Sequence, residues 1–230
     1  LGDVYKRQGE LTVGMIEALV EHYAVPDNHR YKDLVDNAYG TDASKTYFSS
    51  IWSGMYRQIA NCNVFLEQIA AHQENYNPER YRLFRGEALA LRTFLHFDLY
   101  RLFSPDVKRS PKADGIPYNK EYGVSLPPMY SVEEVVQLVI NDLKEAEECL
   151  ANDPINEVVP YVIASTWDGV ADGSNTSKGV SAYRDEADQY VARMNLYAVK
   201  AMLARAYQAR GEFTRAAEKA KEVIYSGKFR

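Results

Sequence analysis

Between Asn77 and Ser104 lies a helix that is apolar on two faces, and a chain containing it has few ways to fold. Asn77-Pro78 supplies a capping residue followed by proline at the first helical position, where its missing N–H costs nothing. Ser104-Pro105 stops the helix. Tyr81, Phe84, Ala88, Leu91, Leu95, Leu99 and Leu102 line one face, and Leu83, Ala90, Phe94 and Phe97 line a second. Such a helix needs neighbours on both sides, so it belongs at the centre of a helical body. Glu87, Arg92, Asp98 and Arg101 ride on it and must find partners or reach solvent. We read them as an ion-pair network to neighbouring helices, in preference to a catalytic carboxylate pair. His96 reads as a hydrogen-bonded core or rim residue.

The remaining periodic segments are helical too. Leu11, Met15, Leu19 and Tyr23 recur every four residues and predict a helix over 9–23, ended by Pro26 and Asn28. Trp52, Met55, Tyr56, Ile59, Asn63, Leu66 and Ile69 predict another from about Ser49. Ser131-Val132-Glu133-Glu134 is a capping box, and Val132, Val136, Val139, Leu143, Ala146 and Leu150 then form a narrow stripe suited to packing on a neighbouring helix, ended by Asp153-Pro154. The last two helices, roughly Tyr190–Ala209 and Thr214–Tyr225, are joined at Arg210-Gly211-Glu212, with glycine at the left-handed position. Leu203, Ala204, Tyr207, Gly211, Phe213, Ala216 and Ala220 follow the spacing of a tetratricopeptide repeat: the alanines let two backbones approach while Tyr207 and Phe213 fill the space beside them. Ala220 stands where such a repeat usually carries a large residue, and Lys228 where it closes on proline, so the match is partial. The fold class is therefore all-α, with tetratricopeptide-like helix pairs and long irregular loops.

Two connections, 104–130 and 153–188, lack any period, and loops of such length are usually functional or disordered. The second carries Tyr161, Trp167, Asn175 and Tyr183. An aromatic on a polar loop can stack on the apolar face of a pyranose while Asn, Asp and Ser bond its hydroxyls. Alternatively Trp167 folds back as an anchor for the loop, a reading slightly favoured. Tyr161, Trp167, Asn175 and Tyr183 are the candidate ligand-binding residues. Asp168–Asn175 is like a calcium loop in part, but Val170 and Gly179 stand where ligands are needed, so no metal is expected.

Several functional classes fall away on the sequence. The 230 residues carry 27 basic and 32 acidic side chains, a charge of −5 with no basic run, which excludes an electrostatic nucleic-acid or membrane-surface binder. Cys62 and Cys149 form neither a disulfide framework nor a zinc motif and read as small core residues. His22, His29, His72 and His96 have no metal-ligand spacing, and no nucleophile elbow, P-loop or dinucleotide motif occurs, so no catalytic residue, metal or cofactor is expected. The longest charge-free apolar run, Val158 to Trp167, is half of the ~20 residues a membrane span needs. Residues 1–8 (LGDVYKRQ) have no apolar signal-peptide core and fit poorly with the helix after them, so they read as non-native or disordered, with any export signal missing.

Three segments together carry a resemblance: IWSGMYRQIANCNVFLEQI (Ile51 to Ile69), RGEALALRTFLHFDLYRLF (Arg85 to Phe103) and RMNLYAVKAMLARAYQARGEFTRAAEKAKEVI (Arg193 to Ile224). With GIPY (Gly115 to Tyr118) and the SVEEV…DLKEAEECL helix between them, the chain resembles the N-terminal part of SusD/RagB-type nutrient-binding outer-membrane lipoproteins, over about Ser49 to Ile224. The resemblance implies a truncated SusD-like helical domain over 9–230 whose C-terminal region is missing. It also implies lipid anchoring at the cell-surface side of the outer membrane, through an anchor absent from this chain. It implies non-catalytic capture of oligosaccharides, or of peptides, for a SusC-type TonB-dependent transporter. Ligand contacts in that family lie in variable loops, so no binding residue carries over by motif. The rival readings are a tetratricopeptide-type adaptor for a protein partner and a helical (α/α) glycoside hydrolase.

Overall fold

The computed structural model describes residues 14–22, 24–123, 128–157 and 193–228. They divide into two compact units, one ending at Asn61 and one beginning at Cys62. The all-α expectation holds: among the described residues the only sheet has two short strands.

In the first unit α1 (Met15–Leu19) and α2 (Lys32–Val35) bury Met15, Ala18, Tyr31 and Leu34. The expected helix over 9–23 stops early, because Glu21 turns left-handed at φ 59° and the Glu21 and His22 N–H groups bond back to the Ala18 and Glu17 carbonyls. Residues 9–13 lie outside the described residues. Tyr31 packs its ring 5.7 Å from that of Tyr47. The long α3 (Asp42–Ala71) begins seven residues before the expected start. Thr41 is the reason: its hydroxyl oxygen accepts from the Ser44 N–H at 3.2 Å and donates to Asp33 at 2.8 Å. The expected stripe is inside, with Met55, Ile59, Asn63, Leu66 and Ile69 buried.

The second unit is built around α4 (Pro78–Phe103), whose Asn77 side chain accepts from the Glu79 N–H at 2.8 Å. From Gly86 to Tyr100 no residue is exposed, as two apolar faces require. It packs on α5 (Val132–Cys149), which packs on α6 (Leu196–Arg210), which pairs with α7 (Phe213–Ile224). The Glu134 carboxylate accepts from the Ser131 N–H at 2.8 Å and its hydroxyl at 2.6 Å, so the α5 capping box forms. The buried face of α5 is wider than the narrow stripe expected, because Val135, Ile140 and Asp142 are buried with it. Gly86 lets α4 and α5 approach closely: a Cβ there would stand 2.6 Å from Leu150 Cγ and 3.0 Å from Cys149 Cβ.

The connection 104–130 carries two short strands that its lack of period did not lead one to expect. β1 (Asp114–Pro117) pairs antiparallel with β2 (Met129–Ser131), Asp114 opposite Ser131 and Pro117 opposite Met129 with a bulge between. Ile116 and Tyr118 are buried two positions apart, a strand period too short to register in the sequence.

α6 starts at Leu196 rather than near Tyr190, because the Asn195 side chain accepts from the Tyr197 and Ala198 N–H groups, both at 3.0 Å. Gly211 takes the left-handed turn at φ 86°, as its position demanded. Ala204, Ala216 and Ala220 are half-buried. Tyr207 is buried, but Phe213 is 62% exposed and does not fill the space beside the alanines. It opens α7 directly after the turn, and its ring lies beneath Lys108 Nζ at 4.7 Å.

Candidate functional site

Tyr161, Trp167, Asn175 and Tyr183, with the Asp168–Asn175 string, lie outside the described residues. The scaffold from which their connection departs, and to which it returns, is described. Asp153 is the clasp: Oδ1 accepts from the Ile155 N–H at 2.9 Å, and Oδ2 from the Leu196 N–H at 2.8 Å. One buried carboxylate thus caps a 3₁₀ turn at Pro154–Asn156 and meets the start of α6, 43 positions along the chain from Asp153. The Tyr197 hydroxyl donates to Asn156 Oδ1 at 3.2 Å, and Lys228 Nζ donates to the Asn156 carbonyl at 2.7 Å. Arg193 pairs with Glu87 of the central helix. Burial pushes the Glu87 carboxyl up to about 7 against the pull of Arg193. The connection therefore leaves and rejoins the helices at one fastened base.

The other connection is fastened at residues 118–121 by a buried polar cluster. Arg92 donates to Asp142 at 2.8 Å, to Asn63 Oδ1 at 3.0 Å and to the Lys120 carbonyl at 3.1 Å. Asp142 also accepts from Lys120 Nζ at 2.6 Å and the Tyr118 hydroxyl at 3.1 Å. Asn63 donates to the carbonyls of Asn119 and Glu121 at 3.2 and 3.1 Å. His96 is fully buried and stacks on Tyr118 with ring centroids 4.0 Å apart. Its Nε2 accepts from the Asn119 N–H and its Nδ1 donates to the Arg92 carbonyl, both at 3.0 Å, which fixes a neutral tautomer. Burial lowers its pKa to about 3. These groups bond chiefly to one another and hold a loop, while Arg92 Nε and Asn119 Oδ1 are buried without a hydrogen-bond partner.

The four charges singled out on α4 have partners: Glu87 with Arg193, Arg92 with Asp142, and Asp98 with Arg101 and Arg205. The ion-pair reading thus describes these residues. Cys62 is buried, and burial raises its thiol to about 11; Cys149 is half-buried. Among the described residues no His, Cys, Asp and Glu cluster could hold a metal, and no helix is long and apolar enough to cross a membrane. The sequence reading missed Asp153 and Asn156 as clasp residues. The Asp153-Pro154 pair was visible as a helix stop, but nothing local marks a carboxylate that caps a second, distant segment.

Residues 3–171 match the SusD-like family described as starch-binding and associating with the outer membrane. A SusD-like protein of Formosa agariphila is 32% identical over 119 residues, covering 52% of this chain and 21% of that protein. A SusD-like carbohydrate binding protein from Bacteroides vulgatus superposes with a TM-score of 0.66 at 22% identity, over 93% of this chain and 39% of its own. A SusD superfamily protein from Bacteroides thetaiotaomicron gives 0.57 at 20% identity, over 76% and 32%. The chain belongs to the SusD-like family and spans about a fifth of that curated relative and under two fifths of those structures.

Proposed function

We propose that the chain is the helical scaffold of a non-catalytic binding protein at the cell-surface side of the outer membrane. It presents the connection between Asp153 and Asn195 to an oligosaccharide, or to a peptide, and hands the ligand to a SusC-type TonB-dependent transporter. The observation that carries the reading is the clasp at Asp153, which closes a long connection at one rigid base, within a chain of the SusD-like family. A loop fastened at its ends to packed helices is how a scaffold positions adaptable contacts. Tyr161, Trp167, Asn175 and Tyr183 are the residues proposed to meet the sugar, aromatic faces on its apolar face and amide on its hydroxyls. Lipid anchoring, not a membrane-spanning helix, is the proposed attachment.

The test is titration of the protein with a panel of oligosaccharides, comparing Trp167→Ala with the parent, and affinity purification from membranes. Loss of a stacked ring should weaken binding by roughly tenfold or more. Failure to bind any glycan or peptide, with no transporter co-purifying, defeats the proposal.

A further inference from the structure

Between the C-terminal half of α4, the start of the following connection and α6 lies an open cavity of about 460 Å³, in the size range of small-ligand sites. Its wall is cationic in a chain that is acidic overall, with Arg101, Arg205 and Lys108 on it. The counter-charges are few and poorly placed. Asp98 is shared by two guanidinium groups, 3.4 Å from Arg101 and 3.9 Å from Arg205. Both distances exceed the 2.7–2.9 Å or so of a tight charge-assisted pair. Asp106, also on the wall, is occupied in its own turn, where Oδ1 accepts from the Lys108 and Arg109 N–H groups at 2.9 and 3.2 Å.

Arg205 is held in position, its guanidinium 5.6 Å from the centroid of the buried Phe97 ring. Burial and the like charge of Arg101 both depress its pKa, so an anion arriving between the two arginines would relieve a repulsion already present. Ser104 lines the same cavity, and its Oγ is buried without a hydrogen-bond partner. A buried hydroxyl left unpaired is unusual, and a turn about its χ1 would offer it to a ligand hydroxyl. Gln208 adds an amide on the α6 side.

We propose that this cavity binds an acidic sugar residue, a pyranose bearing a carboxylate or a sulfate ester, with Arg101 and Arg205 on the anionic group and Ser104 and Gln208 on ring hydroxyls. The inference rests on the carbohydrate-binding reading above and narrows its ligand class. A single acidic side chain of a protein partner would leave most of the cavity unfilled, whereas a sugar ring with an exocyclic acid matches both its charge and its size.

The experiment is calorimetric titration of the full chain with tetragalacturonate, with neutral cellotetraose and with a tetraglutamate peptide, repeated on Arg101→Gln and Arg205→Gln. Tetragalacturonate should bind best, weaken as salt rises, and lose roughly tenfold affinity with either arginine, while cellotetraose binding stays unchanged in the variants. Arg101 is half exposed, so Arg101→Gln keeps the fold and decides the matter alone should Arg205→Gln unfold. Cellotetraose binding as tightly as tetragalacturonate, or tetragalacturonate binding indifferent to Arg101, overturns the cavity assignment and leaves the general carbohydrate reading standing. Arginine-dependent binding of tetraglutamate with none of tetragalacturonate overturns it in favour of protein docking. Failure of tetragalacturonate to bind overturns the cavity assignment whatever cellotetraose does, and the general reading then stands or falls on the wider panel of glycans and peptides.

Discussion

The helix pairs α4/α5 and α6/α7 are joined and packed in the same body, yet they are held by opposite means. Along α5 the residues Val136, Val139, Leu143, Ala146 and Leu150 have no exposed surface, and Gly86 admits the second backbone. In the middle of that apolar contact sits one ion pair, Arg92 with Asp142, whose side chains are 5% and 2% exposed. In the other pair, α7 has no fully buried residue, and Phe213, Ile224 and Tyr225 face outward. Alanines and peripheral ion pairs such as Lys200–Glu222 at 2.8 Å do the joining. The same chemistry therefore has opposite weight in the two places. A charge shut away from water cannot lose its partner without leaving an uncompensated ion, whereas one at the rim exchanges its partner for water.

The largest effect that follows is at Asp142. Asp142→Ala strands the buried Arg92 guanidinium, while the part-exposed Lys120 turns to water, and should cost about 3–5 kcal/mol. Urea unfolding monitored by circular dichroism measures it. A loss below ~1 kcal/mol would mean that water reaches Arg92 and that the two helix pairs do not differ as argued.

Next comes a pH dependence confined to the buried pair. His96 has a folded pKa of about 3 against its ordinary 6.5, so the folded state binds fewer protons between those values. Its contribution is complete above pH 6.5 and is lost as pH falls toward 3. Glu87 acts in the opposite sense: with a folded value of about 7 against an ordinary 4.5, it lowers stability as pH rises through that window. Between 4.5 and 6.5 the two slopes oppose each other. His96→Gln, whose amide can serve the same two partners, should remove the opposing slope and leave that of the carboxyls raised by burial, Glu87 and Asp98, with urea midpoints falling as pH rises. Unchanged pH dependence in that variant would show His96 exposed to protons in the folded state.

A smaller change probes the close approach itself. Gly86→Ala gains about 1 kcal/mol of helix propensity but drives a methyl against Leu150 and Cys149, at a cost of about 1–3 kcal/mol. The expected net is destabilisation by about 1 kcal/mol, read as a lowered thermal midpoint. Net stabilisation would show that the α4/α5 contact has slack.

How much of this could be read from residues alone differs between the pairs for a physical reason. The centre of the body was legible because two apolar faces on one helix, an Asn-Pro start and a capping box are local signals that tertiary structure reinforced. The turn at Gly211 was legible for the same reason. Thr41 was overlooked as a cap because no apolar period follows it closely. The hairpin at Ile116 and Tyr118 was overlooked because alternation over so few residues is indistinguishable from chance. Phe213 was misplaced because repeat spacing specifies which residues share a turn, not which side of it meets solvent. As for the site, Asp153, Asn156 and Arg193 act on segments far away in sequence, and no periodicity encodes a contact of that kind.

The peripheral pair completes the comparison at its weak end. Glu222 accepts from Lys200 of α6 and from Lys219 one turn before it at 3.0 Å, and the two ammonium groups hold its carboxyl below the usual range despite some burial. Glu222→Ala removes both pairs, but Lys219 keeps Glu147 of α5 at 2.6 Å and Lys200 turns to water. The expected loss is about 0.2–1 kcal/mol, shrinking further in ~1 M salt, where screening acts within about 3 Å. Urea midpoints at low and high salt, with Lys200→Ala and the double variant completing a cycle, isolate the coupling. A coupling above ~2 kcal/mol that survives salt would place this contact with Arg92 and Asp142, and the contrast between the two helix pairs would then rest on apolar area alone, since ionic strength could no longer tell their charges apart.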